Sequence, residues 1–450
     1  MLTDLLLILI WLIVVIISFW LFKLSAGTMS IMKPNLLSIT FYYSLLVSSY
    51  IGPLLIVLEK DKHYMINELQ NADKYRITGF IILSIIMILL PLSMFIVKQL
   101  AGFNAKVEVQ NYVFAKINDE NHLDKYYFIM YGGLTFISVS AVAYTIIHLE
   151  TIPILALLTG GNGLDALRIE ASHGFTGNPI IRNVLALNLT PILSMITFIY
   201  AHKTSKLKWK ILFSITFVCA VFMQIYTLAK GPIFFYLIMF IVLMIYMGIL
   251  KLNWFKIGMA GILAVVGLVI MYVFIQGVTD VSQYFSYNTG PIGRLILSQI
   301  APFYLHLEVF PLDPHIVIEQ SRSAAVVAKV IFEERVNAGT LGVLNTLFAG
   351  EAYAMFRYPG IIIGTIYIGV FIQLIYIIFT RLPKNPLFLA LFVYFSVNIP
   401  RVVIGGFTDF LLNTLWIGLL IILLAPYVLL QLHRVYKKIK EDAKVKETVS

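Results

Sequence analysis

One cysteine in 450 residues leaves no disulfide framework and no thiolate metal cluster to build, and Cys219 lies inside an apolar run, where it reads as a small core residue. Charge is also scarce. Asp, Glu, Lys and Arg together make up 12% of the chain, about half the usual share for a soluble domain. The signatures of soluble enzymes are missing as well: no Walker loop, no dinucleotide fingerprint, no His-Glu-x-x-His zinc helix and no Gly-x-Ser-x-Gly elbow. There is no internal repeat, heptad pattern or low-complexity segment, which excludes solenoids and coiled coils. The first apolar run opens at Leu5 without a basic region or a small-residue cleavage site, so it reads as a retained helix and not a removed signal.

What the chain has in abundance is hydrocarbon. It is 60% hydrophobic with a mean hydropathy of +0.90, which places it among polytopic membrane proteins. Runs of about 20 apolar residues span a bilayer as helices, and such runs lie near 4–23, 35–58, 77–98, 126–148, 182–202, 208–228, 231–250, 256–275, 359–380, 386–404 and 410–432. The expected fold is therefore all-α and polytopic, with about eleven transmembrane helices. The net charge of +10 is topology and not nucleic-acid binding. Lys203, Lys206, Lys208 and Lys210 crowd one short loop, Lys251 and Lys256 another, Arg381 and Lys384 a third, and Lys437, Lys438, Lys440, Lys444 and Lys446 the tail 433–450. The positive-inside rule makes these cytoplasmic. Eight helices then fill 1–275 with an outer loop at 149–181, a large extracytoplasmic loop covers 276–358, and three more helices fill 359–432. In loop 59–76, Lys60, Lys62, Lys74 and Arg76 fall on the outer side, balanced by Glu59, Asp61, Glu68 and Asp73.

Loop 276–358 concentrates ionisable groups: Arg294, His306, Glu308, Asp313, His315, Arg322, Arg335 and Glu351. Apolar residues recur at helical spacing in Ile292–Phe310 and Ala324–Ile331, which predicts short amphipathic helices on the outer membrane surface. His306, Glu308 and His315 do not share one helical face, so they make no metal site and are expected on a solvated surface. The informative groups are cations at the outer ends of apolar segments: Arg168, Arg182, Lys230, Arg294 and Arg401. Each alone can snorkel to a headgroup or pair with an acid such as Glu170 or Asp409. Together, on the side where the positive-inside rule disfavours them, they suit a clamp for a lipid-linked phosphate or pyrophosphate, which arginine grips with two parallel hydrogen bonds. Glu351, just ahead of a glycine-studded helix, is either an interfacial acid beside an aromatic belt or a general base for a hydroxyl.

Four features together resemble the Wzy-like oligosaccharide repeat-unit polymerases, which build O-antigen, capsule and exopolysaccharide: the turn Ala229-Lys230-Gly231, the run Gly350-Glu351-Ala352-Tyr353 with Phe356 and Gly360, the run Pro400-Arg401 with Gly405-Gly406 and Asp409, and one dominant outer loop. The resemblance implies transfer of a glycan from undecaprenyl pyrophosphate to a sugar hydroxyl of the next lipid-linked repeat, at the outer face of the bacterial cytoplasmic membrane. It implies no cofactor and no metal. The partners it implies are the lipid-linked donor and acceptor, membrane lipid and a chain-length regulator. It puts Arg168, Arg182, Lys230, Arg294 and Arg401 at matching basic positions. The mechanism expected from this sets Arg182, Lys230, Arg294 and Arg401 on the pyrophosphate with Arg168 beside them, counts Arg294 among the catalytic groups, and gives the acceptor proton to Glu351 or, failing that, to His306 or Glu308. The chain departs from the family pattern where Lys230 stands for the commoner arginine and Arg357-Tyr358-Pro359 follows Phe356 in place of a simple glycine. It also has Pro179, Leu193 and Leu305 where an arginine-spaced glycine motif would put glycine. An O-antigen ligase shares the donor but not the acceptor. A flippase for the same lipid would show paired halves.

Overall fold

The computed structural model describes residues 2–118, 124–150, 152, 175–227, 229–276, 283–284, 286–288, 290–311, 323–337, 341 and 344–449. Among these the chain is helical, with one isolated antiparallel bridge between Leu149 and Phe175. Nine helices among the described residues are long and apolar enough to cross a membrane. Each of the apolar runs identified above falls on a helix: α1 Leu2–Ala26, α2 Leu36–Val57, α3 Ala72–Leu100, then, after the short α4 Ala105–Phe114, α5 Asp124–Ile147, α6 Ile181–Thr204, α7 Leu207–Ile225, α8 Lys230–Tyr246 and α9 Trp254–Gln276. Segment 276–358 contributes α10 Pro291–Ile296, α11 Ala301–Val309, α12 Ser323–Ile331 and α13 Glu333–Asn337. The chain ends with α14 Leu347–Arg381, α15 Pro386–Gly405 and α16 Thr414–Val449.

The chain divides into two compact units, one of residues 1–116, 244–383 and 392–412, the other of 117–243, 384–391 and 413–450. In the first, α1 and α14 pack along α3, whose 29 residues run about 43 Å at 1.5 Å per residue. Both ends of α3 are tied by charge. At its start Arg76 pairs with the buried Asp61 at 3.3 Å, so one of the cations of loop 59–76 is neutralised in place. At its end Arg381 pairs with Glu108 at 2.7 Å and donates to the Ala101 and Gly102 carbonyls. In the second unit α6 packs on α5 and α7 through small polar contacts, Ser138 with Thr190 and Thr197 with Thr216, and Ser194 of α6 meets Tyr236 of α8. Such contacts let transmembrane helices approach closely. Cys219 is one of the residues packed against that unit's apolar core.

Three features depart from the sequence reading. First, α14 starts at Leu347 and not near 359, and it is broken at Arg357, whose φ of 56° and ψ of −146° are not helical. Second, α11 is buried on every face and is not a two-faced surface helix. Its His306 and Glu308, expected on a solvated surface, are 0% and 6% exposed. Third, two stretches are wound as π-helix, Thr40–Tyr50 in α2 and Ile181–Leu189 in α6. In the second, Asn188 and Thr190 side chains donate to carbonyls five residues back, Asn183 and Leu185. Long π segments are rare and tend to occur at functional sites.

Candidate functional site

The site is built first from a helix that needs a partner. Gly405 ends α15, and a single helical turn, Thr408–Leu411, follows. The Thr408 amide has no intrahelical acceptor. Glu351, 3% exposed in the first turns of α14, fills that need: its Oε2 accepts from the Thr408 amide at 2.8 Å and from the Thr408 hydroxyl at 2.7 Å. Gly406 makes the approach possible, because a Cβ there would sit 2.6 Å from the same oxygen. Thus Glu351 caps a turn 57 residues away and is held by two donors, with its second oxygen outside those bonds.

Arg401 lies one turn before the end of α15. Its Nη1 donates to Asn398 Oδ1 at 2.9 Å, and Tyr43 and Tyr394 lie within range of its charge. Tyr43 belongs to the π-helical stretch of α2, whose Ser44 donates to the Pro400 carbonyl at 2.6 Å. The first unit therefore gathers Glu351 and Arg401 at the closing end of α15, from segments remote in sequence.

Glu308 and His306 point to different partners. Oε1 of Glu308 accepts from the Gln70 and Asn71 amides at 2.9 and 3.1 Å, capping α3, whose own Asn71 makes no side-chain cap. A carboxylate is favoured there by the helix dipole. His306 donates through Nδ1 to the Pro302 carbonyl at 2.7 Å, and its Nε2 accepts from the Ser323 hydroxyl at 2.9 Å. Since a carbonyl can only accept, this fixes the neutral tautomer. Complete burial pushes its pKa down to about 4, so His306 is uncharged at neutral pH. It pins α11 to α12, and the two residues would not share one ion.

Arg294 stands elsewhere in the first unit, exposed on α10 and within charge range of Tyr64, whose ring also carries the Arg335 guanidinium at 4.8 Å. Arg182 and Lys230 belong to the second unit. Arg182 starts α6 in π-helical backbone, donates to Asn183 Oδ1 at 3.0 Å and lies over the Phe175 ring at 4.4 Å. Its charge reaches Tyr226, which closes α7 four residues before Lys230 opens α8. A cation at the first residue of a helix gains nothing from the dipole, so Lys230 is placed there for some other reason. Arg168 lies outside the described residues.

No family model, curated protein or solved structure matches this chain. The site therefore rests on its own geometry. Among the described residues no three His, Cys, Asp or Glu side chains converge as a metal set. Sequence reasoning missed Thr408, Tyr43 and Arg357. For Arg357 a signal existed: arginine stands before Tyr358-Pro359, where a simple glycine would be expected, and it adopts a conformation that glycine favours.

Proposed function

We propose that this chain is a membrane-embedded glycosyltransferase that extends a lipid-linked polysaccharide repeat by repeat at the outer face of a bacterial cytoplasmic membrane. The observation that carries the reading is that the closing end of α15 holds Arg401 and meets the buried Glu351 carboxylate, which keeps one oxygen outside its structural bonds. In the second unit, Arg182 and Lys230 each open a helix with a positive charge of the kind that suits a phosphate group.

In this reading a hydroxyl oxygen of the acceptor sugar attacks the anomeric carbon of the donor. The bond from that carbon to the pyrophosphate oxygen breaks, and the configuration inverts. The hydroxyl proton passes to Glu351, whose position is set by Thr408. Arg401 stabilises the charge that develops on the departing pyrophosphate, a role a divalent cation fills in other transferases. The apolar helix surfaces hold the two polyprenyl tails. Removing one such cation costs about a hundredfold or more in rate.

The test replaces Arg401 and Arg182 singly with alanine, confirms membrane insertion, and reads the glycan ladder of the cell surface. The proposal expects the ladder to collapse to short chains in both variants. Normal ladders in both would end the clamp reading.

A further inference from the structure

Where α3 begins, the bonding of the first unit is incomplete. Glu308 is 6% exposed, yet its Oε2 has no hydrogen-bond partner among the described residues. One turn earlier on the same face of α11, the hydroxyl of Tyr304, 0% exposed, is in the same condition. Buried polar atoms are ordinarily satisfied, so Glu308 Oε2, with Tyr75 beside it, marks a place where an outside group completes the bonding, whereas the Tyr304 hydroxyl stands within charge range of Asp61, Tyr50 and Arg76. The packing keeps them there: a Cβ at Gly79 of α3 would run into the Tyr304 ring.

Aromatic rings and one cation lie beside them. Tyr75 sits one turn beyond the Asn71 amide that holds Glu308, within charge range of both Glu308 and Tyr358. Tyr353 and Tyr358 meet edge to face at 5.3 Å, and the Arg357 guanidinium stands 5.7 Å from the Tyr353 ring centre. Tyr358 is 52% exposed, so the cluster opens outward from the protein. Arg357 holds a φ of 56° and a ψ of −146°, a region of backbone space strained for any side chain and easy only for glycine.

We propose that Glu308, Tyr75, Tyr353, Tyr358 and Arg357 form a carbohydrate subsite that holds the acceptor glycan, with sugar C–H faces on the tyrosine rings, a hydroxyl donating to Glu308 Oε2 and the Arg357 fork donating to glycan oxygens. The assignment of that glycan as the acceptor rests on the polymerase reading; binding of a glycan there does not. Recognition of this kind combines aromatic surface with a few placed polar groups.

The experiment uses full-length protein in detergent and, as probe, the repeat-unit oligosaccharide released by mild acid from the cell's own surface polysaccharide. Binding is read by thermal shift and by calorimetry. Wild type is expected to bind. Tyr358→Ala and Arg357→Gly are each expected to weaken binding about tenfold, the loss of one good contact. Arg357→Gly should also raise the unliganded melting temperature by roughly 1–2 °C, because the backbone strain is relieved. A rise in stability with a loss of binding is the signature that a purely structural arginine would not give. No binding by wild type, or undiminished binding by both variants, overturns the subsite. Binding with these losses in a protein that cannot elongate lipid-linked repeats would uphold the subsite and defeat the polymerase reading.

Discussion

Glu351 and Glu308 share a habit: each uses one carboxylate oxygen to satisfy backbone amides of a distant helix start, Thr408 for the first and Gln70 and Asn71 for the second. The two can be separated by substitution. Glu351→Gln keeps an acceptor for the Thr408 amide but removes the base, so it should insert and melt like wild type while transfer falls about a hundredfold or more, read as initial rate of elongation. Glu308→Ala leaves two amides at the start of α3 without acceptors and should cost about 1–3 kcal/mol of stability, measured by denaturant or thermal unfolding in detergent. The histidines supply a pH prediction. His63, which donates through Nε2 to Ser298 and accepts from the Met65 amide, and His306 both have pKa values lowered by burial to about 4, from an ordinary 6.5. Each is neutral when folded and gains a proton on unfolding. Their contribution is complete above about pH 6.5 and is lost as pH falls from there toward 4, by about 2 kcal/mol per histidine between pH 6.5 and 5. The melting temperature should drop over that interval, and His306→Gln should flatten the profile.

The helices were legible because apolar runs of bilayer length need no tertiary context, and each such run falls on a helix. What stayed hidden follows from the same physics. An apolar face looks alike whether it meets lipid or protein, so α11 read as a surface helix although the unit closes round it. The acid partners were also invisible, since the amides that bind Glu308 lie 237 and 238 positions away. The π-helical stretches leave no trace in a uniformly apolar sequence, where an extra residue per turn does not disturb any pattern. They carry a prediction of their own. Deleting Leu187 from Ile181–Leu189 would let α-helical bonding close across the gap, turning Arg182 by about 100° relative to the rest of α6. The variant should still insert, and elongation should fall as far as it does in Arg182→Ala. Undiminished elongation would show that the π winding does not aim Arg182.

At the scale of the molecule, α3 gives the first unit two distinguishable ends, one at Asp61 and Glu308 and the other at Glu108 and Arg381. The positive-inside rule predicts that the first faces outward. With Cys219 replaced by alanine, a membrane-impermeant maleimide should label Lys60→Cys in intact cells and Lys106→Cys only after permeabilisation; the reverse pattern would invert the topology and put the site in the cytoplasm. Purified protein in lipid nanodiscs is supplied with undecaprenyl-pyrophosphate-linked repeats, and the products are separated by length. The account predicts a ladder of lengthening lipid-linked glycans from wild type and a rate at least about a hundredfold lower from Arg401→Ala. Folded wild-type protein that leaves the repeats unextended, or Arg401→Ala that extends them at the wild-type rate, would contradict it.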